Sequence, residues 1–412
     1  MNFFSKYKKI FLILGFLLIC FFLGYLIYSL FFKHLIIPEN KTNTSSTSSS
    51  ASLPTAQEGE GNIISEKENK LINNQERKIF PKASDVALGG LTKTKTLNDS
   101  PSFKPTLSSD GNSIQYYDKK DGHFYKIDKN GNKTLLSDKV FHNAENIAWS
   151  HQKNKAVIEY PDGANIIYDF DKKNQITLPK HWKDFNFDPH SDQLVMKSIG
   201  QNENNRWLAI VNDNGSKVKA IEALGDKDDT VYPSWSPNGQ SIAMFTEGKN
   251  FDEQELYFVG LNGENFKSTT IEGRGFVPLW NKKGDRLLYS VYSSENEMKP
   301  ELWIVDAQGD QISNDRQKLN IETWANKCVF ANNTELYCAV PQSLEKGAGL
   351  FPELADNSID YLYKINTKTG LKKLVAIPDK NYNISNLIVS ENNDFIYFTD
   401  KLNGELHQIR LK

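Results

Sequence analysis

Residues 231–245 read V-Y-P-S-W-S-P-N-G-Q-S-I-A-M-F: an apolar run ending at Trp235, a Ser-Pro-Asn-Gly turn, and a second apolar run. Two such runs joined by turn-forming residues make a β-hairpin. The pattern recurs. Weaker copies begin at Leu107 (L-S-S-D-G), Trp149 (W-S-H-Q-K), Phe187 (F-D-P-H-S-D), Trp280 (W-N-K-K-G), Phe330 (F-A-N-N) and Val389 (V-S-E-N-N), so seven units share one plan. Their spacing of roughly 40–60 residues is the length of one four-stranded propeller blade. The expected fold is all-β, a seven-bladed β-propeller over residues 86–412.

Within a unit the turn leads into a second β-rich run, then a loop, then a third run, found at residues 124–127, 166–170, 207–211, 256–259, 302–305, 362–365 and 406–409. Turns such as D-K-N-G-N at 128–132 follow, with the Gly and Asn that tight hairpins require. The seventh unit stops after its third run. A spare β-like segment, V-A-L-G-G-L-T-K-T-K-T-L at 86–97, precedes the first unit. Pairing it beside the last strand would cover an open sheet edge, which predicts closure by three carboxyl-terminal strands and one amino-terminal strand.

The turn Pro233-Ser234-Trp235-Ser236-Pro237-Asn238-Gly239 resembles the P-x-W-S-P-D-G hallmark of TolB-like, or PD40, repeats, a WD40-like propeller family. Glu255-Leu256-Tyr257-Phe258-Val259 is similar to that family's I-Y-V-x-D strand. Only unit four matches well, units one, three and five match in part, and the others keep just the outline. No Trp-Asp dipeptide is present. The resemblance implies a rigid extracytoplasmic platform for protein or small-ligand contacts.

The chain has 412 residues, 39% of them hydrophobic and 12% aromatic, which suits a folded body richer in strands than helices. A net charge of -2 lacks the basic footprint of nucleic-acid binding. Residues 10–32 carry no charge and are long enough to cross a bilayer as a single-pass transmembrane helix. Lys6, Lys8 and Lys9 precede this run and only Lys33 and His34 follow closely, so the stub of residues 1–9 is expected in the cytoplasm and the propeller outside the cell membrane. Residues 33–85 turn to Ser, Thr, Asn, Glu and Lys, too polar to order by burial, and read as a flexible linker. As a coil, its roughly 48 residues from Pro38 onward span about 35–40 Å.

The three cysteines are Cys20, Cys328 and Cys338, with no C-x-x-C pair or zinc spacing. If Phe330 pairs with Leu336, Cys328 falls opposite Cys338, a register that permits a disulfide. Two unlinked strand thiols are the alternative.

No G-x-S-x-G elbow, H-E-x-x-H, Walker loop or dinucleotide fingerprint occurs, so no catalytic residue, cofactor or metal ligand set is expected. A propeller instead gathers dispersed residues on one face, from the segments entering first strands and the loops joining second to third strands. These supply His142, His181, Asp184, Asp228, Asp229, Tyr232, Arg274, Trp324, Asn326 and Tyr382, with Leu350 and Phe351 from a long insertion at 341–358. Charge mixed with aromatics suits a protein or polar-ligand surface. The expected function is a non-enzymatic, membrane-tethered scaffold or sensor that binds an envelope protein or component through blades four to six. The alternative is a glycan-active hydrolase or lyase using Asp184, Asp228 and Asp229 at the channel mouth as acid and base.

Overall fold

The computed structural model describes residues 17–19, 21–25 and 82–412. The chain divides into two units, Met1–Arg77 and Lys78–Lys412. In the first, residues 17–19 and 21–25 are helical. No helix among the described residues is long and apolar enough to cross a membrane. The rest of the expected membrane segment, and the linker up to residue 81, lie outside the described residues.

The second unit is a propeller of seven sheets, five of them four antiparallel strands in chain order and two completed by strands from the amino-terminal segment. First strands of neighbouring blades touch from blade six round to blade four, and the first strand of blade five touches Ala325–Lys327, which leads into blade six. Blade four shows how the sequence makes this. Val231, Tyr232 and Pro233 pair with Phe245, Met244 and Ala243. Across the turn, Ser236 Oγ accepts from Ser241 N at 2.9 Å, Asn238 Oδ1 accepts from Gln240 N at 3.0 Å, and Gly239 takes φ +74°. Blades three, five and seven cap the same turn with the short polar residue that follows the first strand, and blades one and six with Asp110 and Asn332 inside the turn. Asp188 Oδ1 accepts from Asp192 N and Gln193 N, Asn281 Oδ1 from Gly284 N, and Ser390 Oγ from Asp394 N. That shared chemistry explains why the repeat survives where its Trp and Pro do not.

Seven apolar clusters lie one between each pair of neighbouring blades. The cluster joining blades seven and one holds Tyr397 and Leu406 against Ile114, Tyr116 and Ile127. Each large side chain buried this way stabilises the ring by about 1.5–3 kcal/mol.

The expected closure is present. Lys95–Thr96 pairs antiparallel with Leu406–Arg410, placing Lys95 opposite Gln408 and Thr96 opposite His407. The same segment does one thing more than expected. Leu91–Thr92 adds a fifth, parallel strand to blade six, against Ile377 and Pro378. Blade six also carries the predicted register: Cys328 faces Cys338 with Cα atoms 4.1 Å apart, and their sulfurs are joined in a disulfide.

First strands of blades one, three, five and seven each bulge, whereas blades two, four and six run in continuous register. The residue at the bulge is left-handed in all four: Lys104 at φ 47°, Asp184 at 58°, Gly275 at 66° and Asn386 at 47°. Bulges re-aim side chains beside functional sites, and these sit on the face where first strands begin.

Candidate functional site

On that face, blades five, six and seven enclose a cavity of about 530 Å³. Its walls are Phe276 and Tyr292 from blade five, Trp324 and Asn326 from the segment entering blade six, and Ser385 and Asn386 from the first strand of blade seven. Gly349, Leu350, Pro352 and Ala355 of the blade-six insertion roof it.

The roof is pinned on both sides. Toward blade five, Gly347 N donates to Glu297 O at 2.9 Å, Gly349 N to Met298 O at 2.7 Å, and Lys346 pairs with Glu297 at 2.6 Å. A Cβ on Gly349 would lie 2.5 Å from Tyr292 Cβ, so only glycine allows this approach. Glu297 and Met298 both take positive φ, 53° and 57°, to present those carbonyls. Toward blade seven, Asn383 Nδ2 donates to Ala355 O at 2.7 Å and Asp356 O at 2.8 Å, and Lys401 pairs with Asp356.

Beneath the walls lies a buried ion pair. Lys327 Nζ donates to Asp360 Oδ2 at 2.7 Å and to Asn383 Oδ1 at 3.1 Å, with side-chain exposures of 10% for Lys327 and 0% for Asp360. Ile384 N also donates to Asp360 Oδ2, at 2.6 Å, while Asp360 Oδ1 is buried without a partner. Burial pushes the lysine down and the carboxyl up from their ordinary values, and their mutual attraction opposes both shifts. Lys327 Nζ also stands 6.0 Å from the Trp324 ring centroid.

Of the residues expected on this face, Trp324, Asn326 and Leu350 come together in the cavity. Phe351 and Leu354 are exposed on the same loop but do not line it. Arg274 stands at the edge, its guanidinium held by the carbonyls of Asn250 and Phe251. Tyr232 packs edge-to-face on Phe276 at 5.4 Å. The cavity therefore belongs to blades five to seven rather than four to six. Tyr382 is a correction: it is buried, its hydroxyl meets Thr94 Oγ1 at 2.9 Å and its ring lies tilted against His407 at 4.6 Å, so it belongs to the closing seam.

The remaining candidates are dispersed around blades one to four. His142 and His181 are exposed. Among the described residues no three His, Cys, Asp or Glu side chains group as a metal site. Asp184 pairs with Lys197 at 2.8 Å, Asp228 with Lys183 at 3.3 Å and Arg206 at 3.4 Å, and Asp229 is exposed. The carboxylate that sequence reasoning missed is Glu159, which accepts from Asn146 Nδ2 at 2.6 Å and from the Asp184 backbone at 3.3 Å. Burial raises its pKa. Its one sequence signal is a carboxylate closing the apolar run Ala156–Ile158 of the strand Lys155–Glu159.

No protein-family model matches the chain, and no curated protein matches it in sequence. Solved structures do. An oligogalacturonate lyase in complex with manganese is 12% identical over 77% of this chain and 93% of its own, with a TM-score of 0.51. An oligogalacturonate lyase from Vibrio parahaemolyticus (11%, 77% and 93%, TM-score 0.49) and the hydrazine synthase of Kuenenia stuttgartiensis (12%, 76% and 96%, TM-score 0.48) are also similar. The likeness is one of fold.

Proposed function

We propose that this chain is a TolB-like propeller tethered to the cell membrane through residues 10–32, which acts outside the cytoplasm as a non-enzymatic protein-binding scaffold or sensor. The observation that carries the reading is the pinned roof of blade six. It holds Leu350, Phe351 and Leu354 at 45%, 55% and 44% exposure on a loop fixed to blades five and seven. A rigid apolar ridge of this kind suits capture of an envelope protein, because little side-chain or loop entropy is lost on docking. The uncharged run at 10–32 and the lysines before it support the anchor and its orientation.

A photo-crosslinker at Phe351 in the full chain, in its own membrane, tests this. A discrete crosslinked protein is expected, lost in Leu354→Asp with unchanged melting temperature. A crosslink pattern indifferent to Leu354→Asp would refute the reading.

A second reading, a glycan-active hydrolase or lyase, rests on Glu159, a half-buried carboxyl of raised pKa beside Asp184. Of the acids first named for it, Asp184 and Asp228 stand paired with cations and Asp229 is exposed. It requires that oligosaccharides incubated with the protein be cleaved and that Glu159→Gln abolish cleavage.

A further inference from the structure

The cavity between blades five and seven is chemically unlike the ridge beside it. Its two cations are already matched: Lys327 by Asp360, and Lys401 by Asp356. An anionic ligand would have to draw Lys327 from Asp360, leaving a fully buried carboxylate without its cation, which proteins do not tolerate cheaply. The site therefore offers an anion only Lys401, half exposed at the rim and already paired with Asp356.

Apart from Lys401 at the rim, what the walls leave free is uncharged. Among the described residues, Trp324 Nε1, the Tyr292 hydroxyl and both ends of the Asn326 amide have no hydrogen-bond partner, and Asn386, which donates to Thr399 Oγ1 at 2.8 Å, keeps its carbonyl oxygen. These donors and acceptors stand beside the rings of Trp324, Tyr292 and Phe276. An aromatic body with a polar tip serves a ligand that is apolar on one face and polar at its edge. A sugar ring has that shape: axial C–H groups on one face, hydroxyls around the rim that both donate and accept. The volume lies within the roughly 300–1,000 Å³ of small-ligand sites, and the pinned roof makes it preformed.

We propose that this cavity is a binding site for a neutral glycan, with Trp324 stacking on a sugar face and Asn326 and Asn386 reading its hydroxyls. The inference goes beyond the scaffold reading. It shares the roof loop with the proposed protein ridge but depends on none of Phe351 or Leu354.

The test uses the full chain in a sugar-free detergent, titrated with chitotetraose, cellotetraose, maltotetraose and tetragalacturonate by calorimetry and tryptophan fluorescence. At least one neutral tetrasaccharide is expected to bind saturably, and tetragalacturonate is expected not to. Trp324→Ala should weaken binding by about tenfold or more, equivalent to about 1.4 kcal/mol, with Trp324→Phe restoring part of it and neither altering the melting temperature. Three results overturn the proposal: no neutral sugar binds, the acidic sugar binds tighter, or Trp324→Ala binds as the parent does. Leu354→Asp keeps the two readings apart, since it should lose the protein crosslink and keep the sugar.

Discussion

The mouth of this propeller has two unlike walls. Over blades five to seven one ion pair, Lys327–Asp360, lies beneath an aromatic and amide surface, and the half-exposed Lys401–Asp356 pair stands at the rim. Over blades one to four each pair keeps one member at the surface: Asp184 is 48% exposed against 7% for Lys197, and Lys183 44% against 14% for Asp228, with Lys104 and Glu159 beside them. A charge sealed in the interior becomes part of the scaffold, because nothing can replace its partner. A charge at the surface is screened by water and stays open to exchange.

The sharpest way to break this contrast is to remove one acid from each wall. Asp360→Ala strands a buried lysine and should destabilise by about 3–5 kcal/mol. Asp228→Ala, a side chain 14% exposed whose partners Lys183 and Arg206 can rehydrate, should lose less, about 1–2 kcal/mol. Urea unfolding of both variants measures the difference, and equal losses would abolish the distinction between the walls.

A smaller effect contrasts the bulges. Gly275→Ala would set a Cβ 2.5 Å from the Tyr292 ring in a left-handed residue, and should destabilise by about 1–2 kcal/mol while disturbing the cavity. Lys104→Gly, at the matching bulge of blade one, relieves the same backbone strain and should be neutral to about 1 kcal/mol stabilising. Melting temperatures that move in the same direction would show that the two bulges are not equivalent.

The smallest effect concerns pH. Burial raises the Glu159 pKa above its ordinary 4.5, so the folded state holds the proton to higher pH than the unfolded chain does. Stability from this group therefore declines as pH rises through the folded value, and Glu159→Gln should be slightly more stable at pH 7. The gain should vanish below about pH 4.5, where both states are protonated. Thermal melts of parent and variant across pH 4–8 check it; a gain that persists at pH 4 contradicts the assignment.

Much of the fold was legible because it is local and repeated. Trp235 and its turn give one hairpin, the spacing gives seven, and the missing fourth strand of the last unit pointed to residues 86–97 as its cover. The symmetry of Cys328 and Cys338 about their turn placed them in register. The second pairing of that early segment was not legible, since the two residues Leu91 and Thr92 are too few to carry a period. The bulges at Lys104, Asp184 and Asn386 were hidden because those residues, unlike glycine, do not advertise positive φ. Trp324, Asn326 and Leu350 were found from their places in loops. Lys327 and Asp360 were not, because 33 residues separate them and each alone reads as a solvated charge. Tyr382 misled for the opposite reason: it looks like a loop aromatic, and only the seam shows it buried.

The seam has a consequence for how the molecule is made. Lys95 and Thr96 leave the ribosome early, yet their partners Gln408 and His407 are more than three hundred positions downstream. Each blade can assemble as it emerges, but the ring stays an open horseshoe, with the bare flank of its seventh sheet still unbuilt, until nearly the whole disc has been synthesised. Nascent chains halted before residue 406 should therefore be the form most in need of a chaperone.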